Sequence, residues 1–377
     1  MPPFGMLTDA AALTQELVRI RSVSGTPGEQ EILRLLADRL GGAKFLLNVD
    51  VAAPERFLLA RTVTAATGPV LLFVCHVDTV PVGDPASWAR DPFSGDVADG
   101  RIWGRGASDM KGGLAAAVVA LLRSGPEGPP AALLLTTGEE LGCLGVPAAA
   151  EALTGLEIAS MVVPESTENR VVLGHRGALW LNLVANGIAA HGSTPQLGRN
   201  ALLAMAQTLV DIDARLPRGP GELILGPTTV NVATMAAGTA PNVVPERATA
   251  TVDIRFAGAG EPAAIRSWLA TYHPTLEVST ALEVPRLLST SESSWIRSLP
   301  AELAEPPSAN YFTDAAVLAS TFPAASVAVW GPGQPDQAHA ADESVSIEHV
   351  TAAVELYARA LDDWPGSLRA PLTKGPS

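Results

Sequence analysis

The sequence predicts an α/β protein: a larger domain built on a mixed, mostly parallel sheet, interrupted by a smaller two-layer α+β insert. Three observations predict it. Apolar strand-like runs alternate with helical patterns through the first 165 residues. From about residue 177 apolar and polar residues alternate, as in a sheet with one solvated face. From about residue 287 the first texture returns, so both chain ends belong to the larger domain. The expected boundaries are 1–176 and 287–377 for the larger domain and 177–286 for the insert.

An amphipathic helix opens the chain, with Thr8 or Asp9 as N-cap and Leu13, Leu17 and Ile20 on one face. Residues 29–40 form a second helix, ended by Gly41-Gly42. Strands are predicted over 57–62 and 69–76; the second is a continuous apolar run, as inside a parallel sheet. An Ala/Val/Leu helix covers 112–123, and two further buried strands cover 131–136 and 158–163. In the insert, ALWLNLVANG alternates and residues 200–216 read as a helix. TATVDIRF then places Val252, Ile254 and Phe256 on one side and Thr251, Asp253 and Arg255 on the other. A short helix over 263–272 and another strand complete the insert. The Pro/Gly/Ser-rich tail, 365–377, is expected to fray.

Composition excludes several classes. Hydrophobic residues make up 47% and charged residues 17% of the 377, which is globular, not disordered. A net charge of -14, from 39 acids against 25 bases, argues against nucleic acid or an anionic membrane as partner. Cys75 and Cys143 form no CxxC pattern and no disulfide framework. The first 20 residues lack a basic stretch followed by an apolar core, and no apolar run is long enough to span a bilayer. A cytoplasmic location is therefore expected.

Ligands of open α/β sheets bind beyond the carboxyl ends of the strands. The residues that the sequence puts there are uniform in chemistry. LLFVCHVDTV gives His76 and Asp78, two apart, so that Asp78 can accept the second ring N–H of His76. GRGASDMKGG gives Asp109 after a glycine-rich turn; an acid in that turn would repel a phosphate. TTGEE gives Glu139 and Glu140, MVVPEST gives Glu165, and WGPGQPDQAHAADE gives His339. Each piece alone also suits a structural pair, a solvated turn or a loop. Together they put acids or histidines at successive strand ends. Two histidines and several carboxylates without thiolate suit a pair of zinc-like ions in a hydrolytic site. One acid of Glu139-Glu140 could then bind a cation while its neighbour handles a proton.

These motifs resemble the M20 family of co-catalytic zinc aminoacylases and peptidases, and the likeness covers nearly the whole chain. HVDTVP, GRGASDMKGG, TTGEE and the late AH carry it. The resemblance implies a zinc-peptidase-like catalytic domain and an inserted lid that forms a homodimer. It implies two Zn2+, for which Co2+ or Mn2+ can substitute, with His76 and Glu165 on one, Glu140 and His339 on the other, and Asp109 bridging. Asp78 would orient His76, and Glu139 would be the general base.

In GIAAHGSTPQLGRNA, His191 matches the histidine that donates to the oxyanion in the partner subunit's site; by itself it reads as a turn histidine. PNVVPE and DIR match the segment that holds the substrate carboxylate through Asn242 and Arg255, although Arg255 also suits a surface pair with Asp253. Arg176 in GHRG resembles a further carboxylate contact, whereas His175, His273 and His349 read as structural. ANYFTDAA and GPGQPDQAHAADE resemble acetylornithine deacetylases, implying hydrolysis of N2-acetylornithine in arginine biosynthesis; an N-succinyl-diaminopimelate desuccinylase, an acetylcitrulline deacetylase or another aminoacylase or carboxypeptidase-like dipeptidase of the family is the alternative. The substrate in either case is a small N-acyl amino acid. PEST at 164–167 departs from the usual Gly-Glu-Pro-Thr, and Glu139 replaces a common Asp.

Overall fold

The computed structural model describes residues 9–50 and 57–365. Thr8 and nearly all of the tail expected to fray lie outside these residues. The chain divides into two compact units. One runs to Gly174 and resumes over Leu288–Ser308 and from Thr313; the other is His175–Leu287 with Ala309–Phe312.

The first unit is built on a six-stranded sheet. Its order is Leu46–Asp50, Phe57–Arg61, Ala131–Thr136, Val70–His76, Ile158–Val163, Ser326–Val329. The last four run parallel, and the first two add an antiparallel edge. Every residue of Val70–His76 and Ala131–Thr136 is buried, as apolar runs covered on both faces must be. Helix Gly112–Ser124, whose first ten residues are all buried, packs against Ile347–Asp362 and Ala10–Arg19. Helix Val146–Ala152 packs against Asp314–Thr321. The opening helix is capped by Asp9, whose carboxylate accepts from Ala11 N and Ala12 N. The second helix starts at Pro27, two residues ahead of its predicted start, because Thr26 is the N-cap and Pro27 occupies the first turn.

A small antiparallel sheet, Ser344–Ser346, Arg101–Trp103 and Asp96–Ala98, flanks the strand ends. It pairs Ser344 with Trp103, which brings the start of the glycine-rich turn beside Glu343. Tyr357 and Trp330 anchor the last strand. They meet edge to face at 5.1 Å, and the Tyr357 hydroxyl donates to Trp330 O at 2.6 Å.

The second unit is a four-stranded antiparallel sheet, ordered Thr229–Ala237, Arg247–Phe256, Gly177–Asn186, Leu276–Val284. Helices Ala201–Arg215 and Glu261–Tyr272 share a core with Leu179, Leu181, Leu183, Val252, Ile254 and Phe256. The alternation read from TATVDIRF is this sheet's inward and outward faces. No helix among the described residues is long and apolar enough to cross a membrane.

Candidate metal centre

Five strand ends carry the chemistry, each where a buried strand or a short sheet stops. His76 closes its strand with only 3% of its surface exposed. Its Nδ1 lies 3.0 Å from the main-chain carbonyl of Asp78 and 3.7 Å from the nearer carboxylate oxygen. The expected support of the ring by the Asp78 carboxylate is thus replaced by support from the Asp78 backbone. The carboxylate does something else. It accepts from Glu139 N at 3.1 Å, Glu140 N at 3.2 Å and Ser24 Oγ at 2.6 Å. Asp78 therefore shapes the Glu-Glu turn, a role the sequence did not reveal.

Asp109 sits between the histidines. Its Oδ1 is 3.1 Å from His76 Nε2 and its Oδ2 is 3.3 Å from His339 Nε2. Each histidine has its own second acid: Glu165 at 3.5 Å from His76 Nε2, and Glu140 at 3.1 Å from His339 Nε2. The glycines of the Asp109 loop are required by space. Gly106 has φ +83, and a Cβ there would come within 2.5 Å of Thr79 Cγ2. A Cβ on Gly113 would come within 1.9 Å of Pro164 O, so the helix after Asp109 can press against the Glu165 loop only as glycine. The unusual Pro-Glu-Ser-Thr residues add ties of their own. Ser166 Oγ donates to Ser108 O at 3.0 Å, and Thr167 Oγ1 accepts from Gly331 N at 2.9 Å.

Electrostatics identify what the cluster wants. Burial pushes the carboxyls of Glu139 and Glu140 up, and Glu165 rises to about 7 through burial and the charge of Asp109. Hydrogen bonds that its ring donates to Asp109 and Glu140 raise His339 to about 10. Burial alone would raise Asp109, but its bonds to His339 and His76 outweigh that and hold it well below the usual carboxylate range. These side chains hold one another by sharing protons, a task divalent cations perform better. The donors fit such ions: imidazole and carboxylate without thiolate, with donor atoms of His76, Asp109 and Glu140 all within 4.8 Å of one another. Oε1 of Glu139, 5% exposed as a residue, is buried without a hydrogen-bond partner among the described residues.

The other predicted residues belong to the second unit. Ser193 N donates to His191 Nδ1 at 3.1 Å, so in the neutral ring Nε2 carries the proton and the exposed imidazole is a donor there. Arg255 Nε and Nη2 bond Asp253 at 2.9–3.2 Å, and its guanidinium stands 5.7 Å over Phe312. Arg176 Nη1 donates to Pro227 O at 3.0 Å. Asn242 is exposed, in the turn whose carbonyl accepts from Gly192 N at 2.7 Å. Sequence reasoning missed Asp314, which accepts from Thr136 Oγ1 beside Glu139, as well as Arg105 and Glu343. All three lie inside quoted motifs, but no local pattern singles them out from their polar neighbours.

Paired histidines and carboxylates at the carboxyl ends of a parallel sheet define a metal-dependent hydrolase. The chain belongs to peptidase family M20/M25/M40, whose model matches residues 72–363. It is 32% identical over 386 residues to a succinyl-diaminopimelate desuccinylase of Cereibacter sphaeroides, covering 95% of this chain and 100% of that one. It is 37% identical over 266 residues to the enzyme of that name from Paracoccus denitrificans, covering 66% and 68%. Among solved structures, an M20 metallo-carboxypeptidase from Sulfolobus solfataricus superposes with TM-score 0.76 at 18% identity over 93% of this chain and 98% of that one. A dinuclear metal-binding M20 peptidase from Bacillus subtilis superposes with TM-score 0.70 at 14% identity over 95% and 98%. These two relatives by sequence are named for succinyl-diaminopimelate, not for acetylornithine.

Proposed function

We propose that the protein hydrolyses the amide bond of an N-acyl amino acid, with an N-succinylated diamino acid as the substrate class. The observation that carries the chemistry is Asp109, with one carboxylate oxygen toward each histidine and a separate acid beside each. His76 and Glu165 would hold one cation, His339 and Glu140 the other, and Asp109 both. Two divalent cations bound there would polarise the scissile carbonyl and lower the pKa of water to about 7. Zinc suits the ligands best, and cobalt or manganese can occupy the same set.

Glu139 does the proton work. It accepts a proton from the attacking water and passes it to the leaving amine. Its Oε1, buried without a hydrogen-bond partner among the described residues, is the atom open to that proton. Asp78 fixes its backbone. His191, with its proton on Nε2, donates to the developing oxyanion in a homodimer formed through the insert. Arg255 would hold the substrate carboxylate with the Nη1 donors that Asp253 does not take, beside Arg176, which reaches Thr229 opposite it; Asn242, at the other end of that strand, would act as a separate contact.

The acyl group is supported by the desuccinylase name of relatives matched over nearly the full chain. A second reading, N2-acetylornithine, is favoured by one feature: Asn310-Tyr311-Phe312-Thr313-Asp314 stands where desuccinylases have Gly-Gly-Thr-Ser-Asp. The test compares succinate release from N-succinyl-L,L-diaminopimelate with acetate release from N2-acetylornithine, using the zinc-loaded protein. Faster desuccinylation is expected; faster deacetylation transfers the assignment to the second reading. Activity on both that survives chelation unchanged rejects the metal site itself.

A further inference from the structure

Glu343 is fully buried, and the proposed reaction gives it no task. Its carboxylate nevertheless gathers four donors. Oε2 accepts from Arg105 Nη1 at 2.6 Å and Gly106 N at 2.9 Å; Oε1 accepts from Ser108 N at 2.9 Å and Asp109 N at 3.1 Å. Its carbonyl also accepts from Gly104 N at 2.8 Å. One side chain thus ties down the backbone of the whole turn that ends in Asp109. Arg105, 2% exposed, extends the reach: its Nη2 donates to His339 O at 3.3 Å, and its guanidinium lies 5.1 Å from the centre of the Trp88 ring. His339 needs such a hold, because its φ of 63 is a left-handed conformation that a non-glycine residue adopts only under constraint.

We propose that Glu343 is a positioning residue. It holds the Asp109 loop and, through Arg105, the His339 turn in the arrangement that presents the two oxygens of Asp109 between the two histidines. The inference rests on the reading of Asp109 as a shared ligand. A buried ion pair contributes little net stability, since desolvation offsets its attraction. What this pair contributes is geometry: three loop N–H groups in register on one rigid acceptor, joined to a second loop by a planar guanidinium fork. The short sheet supplies the frame. Pairing of Ser344 with Trp103 leaves Glu343 facing the turn that begins at Gly104.

The experiment titrates Co2+ into the metal-free full-length protein and follows visible absorption, which reports coordination without any turnover. Parent, Glu343→Gln, Glu343→Asp and Arg105→Lys are compared, with Val119→Ala in the buried face of helix Gly112–Ser124 as a control for lost stability. Glu343→Gln is expected to weaken Co2+ binding about 10–100-fold, the usual cost of removing the support of a ligand, and to change the Co2+ spectrum. Glu343→Asp, which keeps the charge, recovers part of the affinity. Val119→Ala leaves affinity and spectrum at parent values. Parent affinity and spectrum in Glu343→Gln overturn the proposal, as does a loss no larger than the control's. If Glu343→Gln does not fold, Arg105→Lys decides: weaker binding with an altered spectrum supports the proposal, and parent values overturn it. An Asp109→Asn variant separates the two levels. Co2+ binding unchanged there rejects the shared ligand itself, whereas loss there with parent values in the Glu343 variants rejects only the positioning role.

Discussion

Replacing Asp78 with asparagine separates the job the sequence suggests for its side chain, orienting His76, from the one the structure gives it, holding the Glu139-Glu140 turn. The carboxylate lies on the Glu139 and Glu140 amides at 3.1 and 3.2 Å, whereas the ring of His76 leans on the Asp78 carbonyl, which Asp78→Asn retains. An asparagine amide keeps one acceptor oxygen and turns an NH2 toward a backbone N–H. One charge-assisted bond is lost, worth about 1.5–3 kcal/mol, and a buried donor is left without a partner. If that energy appears as poorer placement of Glu139, each 1.36 kcal/mol removes about tenfold in rate, so kcat should fall about 10–100-fold. Because Asp78 also holds the amide of Glu140, a proposed ligand, Zn2+ affinity should weaken too, but the fall in kcat should persist when Zn2+ saturates both sites. The assay pairs steady-state kinetics at saturating Zn2+ with calorimetric Zn2+ titration of the metal-free protein. A variant with parent kcat, or one whose loss of rate is accounted for by lost Zn2+, refutes the assignment of the carboxylate to the Glu-Glu turn.

Further outcomes are expected. Glu139→Gln should lower kcat about 10²–10⁴-fold while two equivalents of Zn2+ remain bound, as measured by elemental analysis of the purified variant. Chelation should abolish hydrolysis and lower the unfolding temperature, because saturation at 100 times Kd stabilises a folded protein by about 2.7 kcal/mol; two equivalents of Zn2+ should restore both. His175 should make the second unit acid-sensitive: burial lowers its pKa to about 4, with the Arg255 charge acting in the same direction. Against about 6.5 in the unfolded chain, it takes up its proton later in the folded state, so stability is present above pH 6.5 and lost as pH falls toward 4. The full loss is about 3 kcal/mol, and denaturant unfolding at pH 7 and pH 4 should show it in the parent but not in His175→Gln; equal pH dependence in the two refutes it.

The fold was legible wherever burial forces composition. Val70–His76 and Ala131–Thr136 are covered on both faces and read as unbroken apolar runs. The insert's strands have one wet face and alternate. The edge strand Leu46–Asp50 was not legible: it pairs on one side only, leaves Leu46 and Leu47 exposed, and so carries neither pattern. The site shows the same division. His76, Asp109, Glu139, Glu140, Glu165 and His339 stand in the loops at strand ends, where an acid or histidine after an apolar run is visible in the sequence. Groups that support them from behind are not visible, since their partners are main-chain atoms. Asp78 is the clearest case: its spacing from His76 suggests a side-chain contact, and only the folded chain puts its oxygens on the amides 61 and 62 residues further along. Glu343 and Arg105 are 238 residues apart, a pairing that no local pattern announces.

Anomalous scattering at the zinc edge, from crystals of the zinc-loaded protein, addresses the metal centre most directly. Two peaks about 3.5–4 Å apart are expected, one beside His76 and Glu165, one beside His339 and Glu140, with Asp109 touching both. A single peak, or zinc bound away from Asp109, would contradict it.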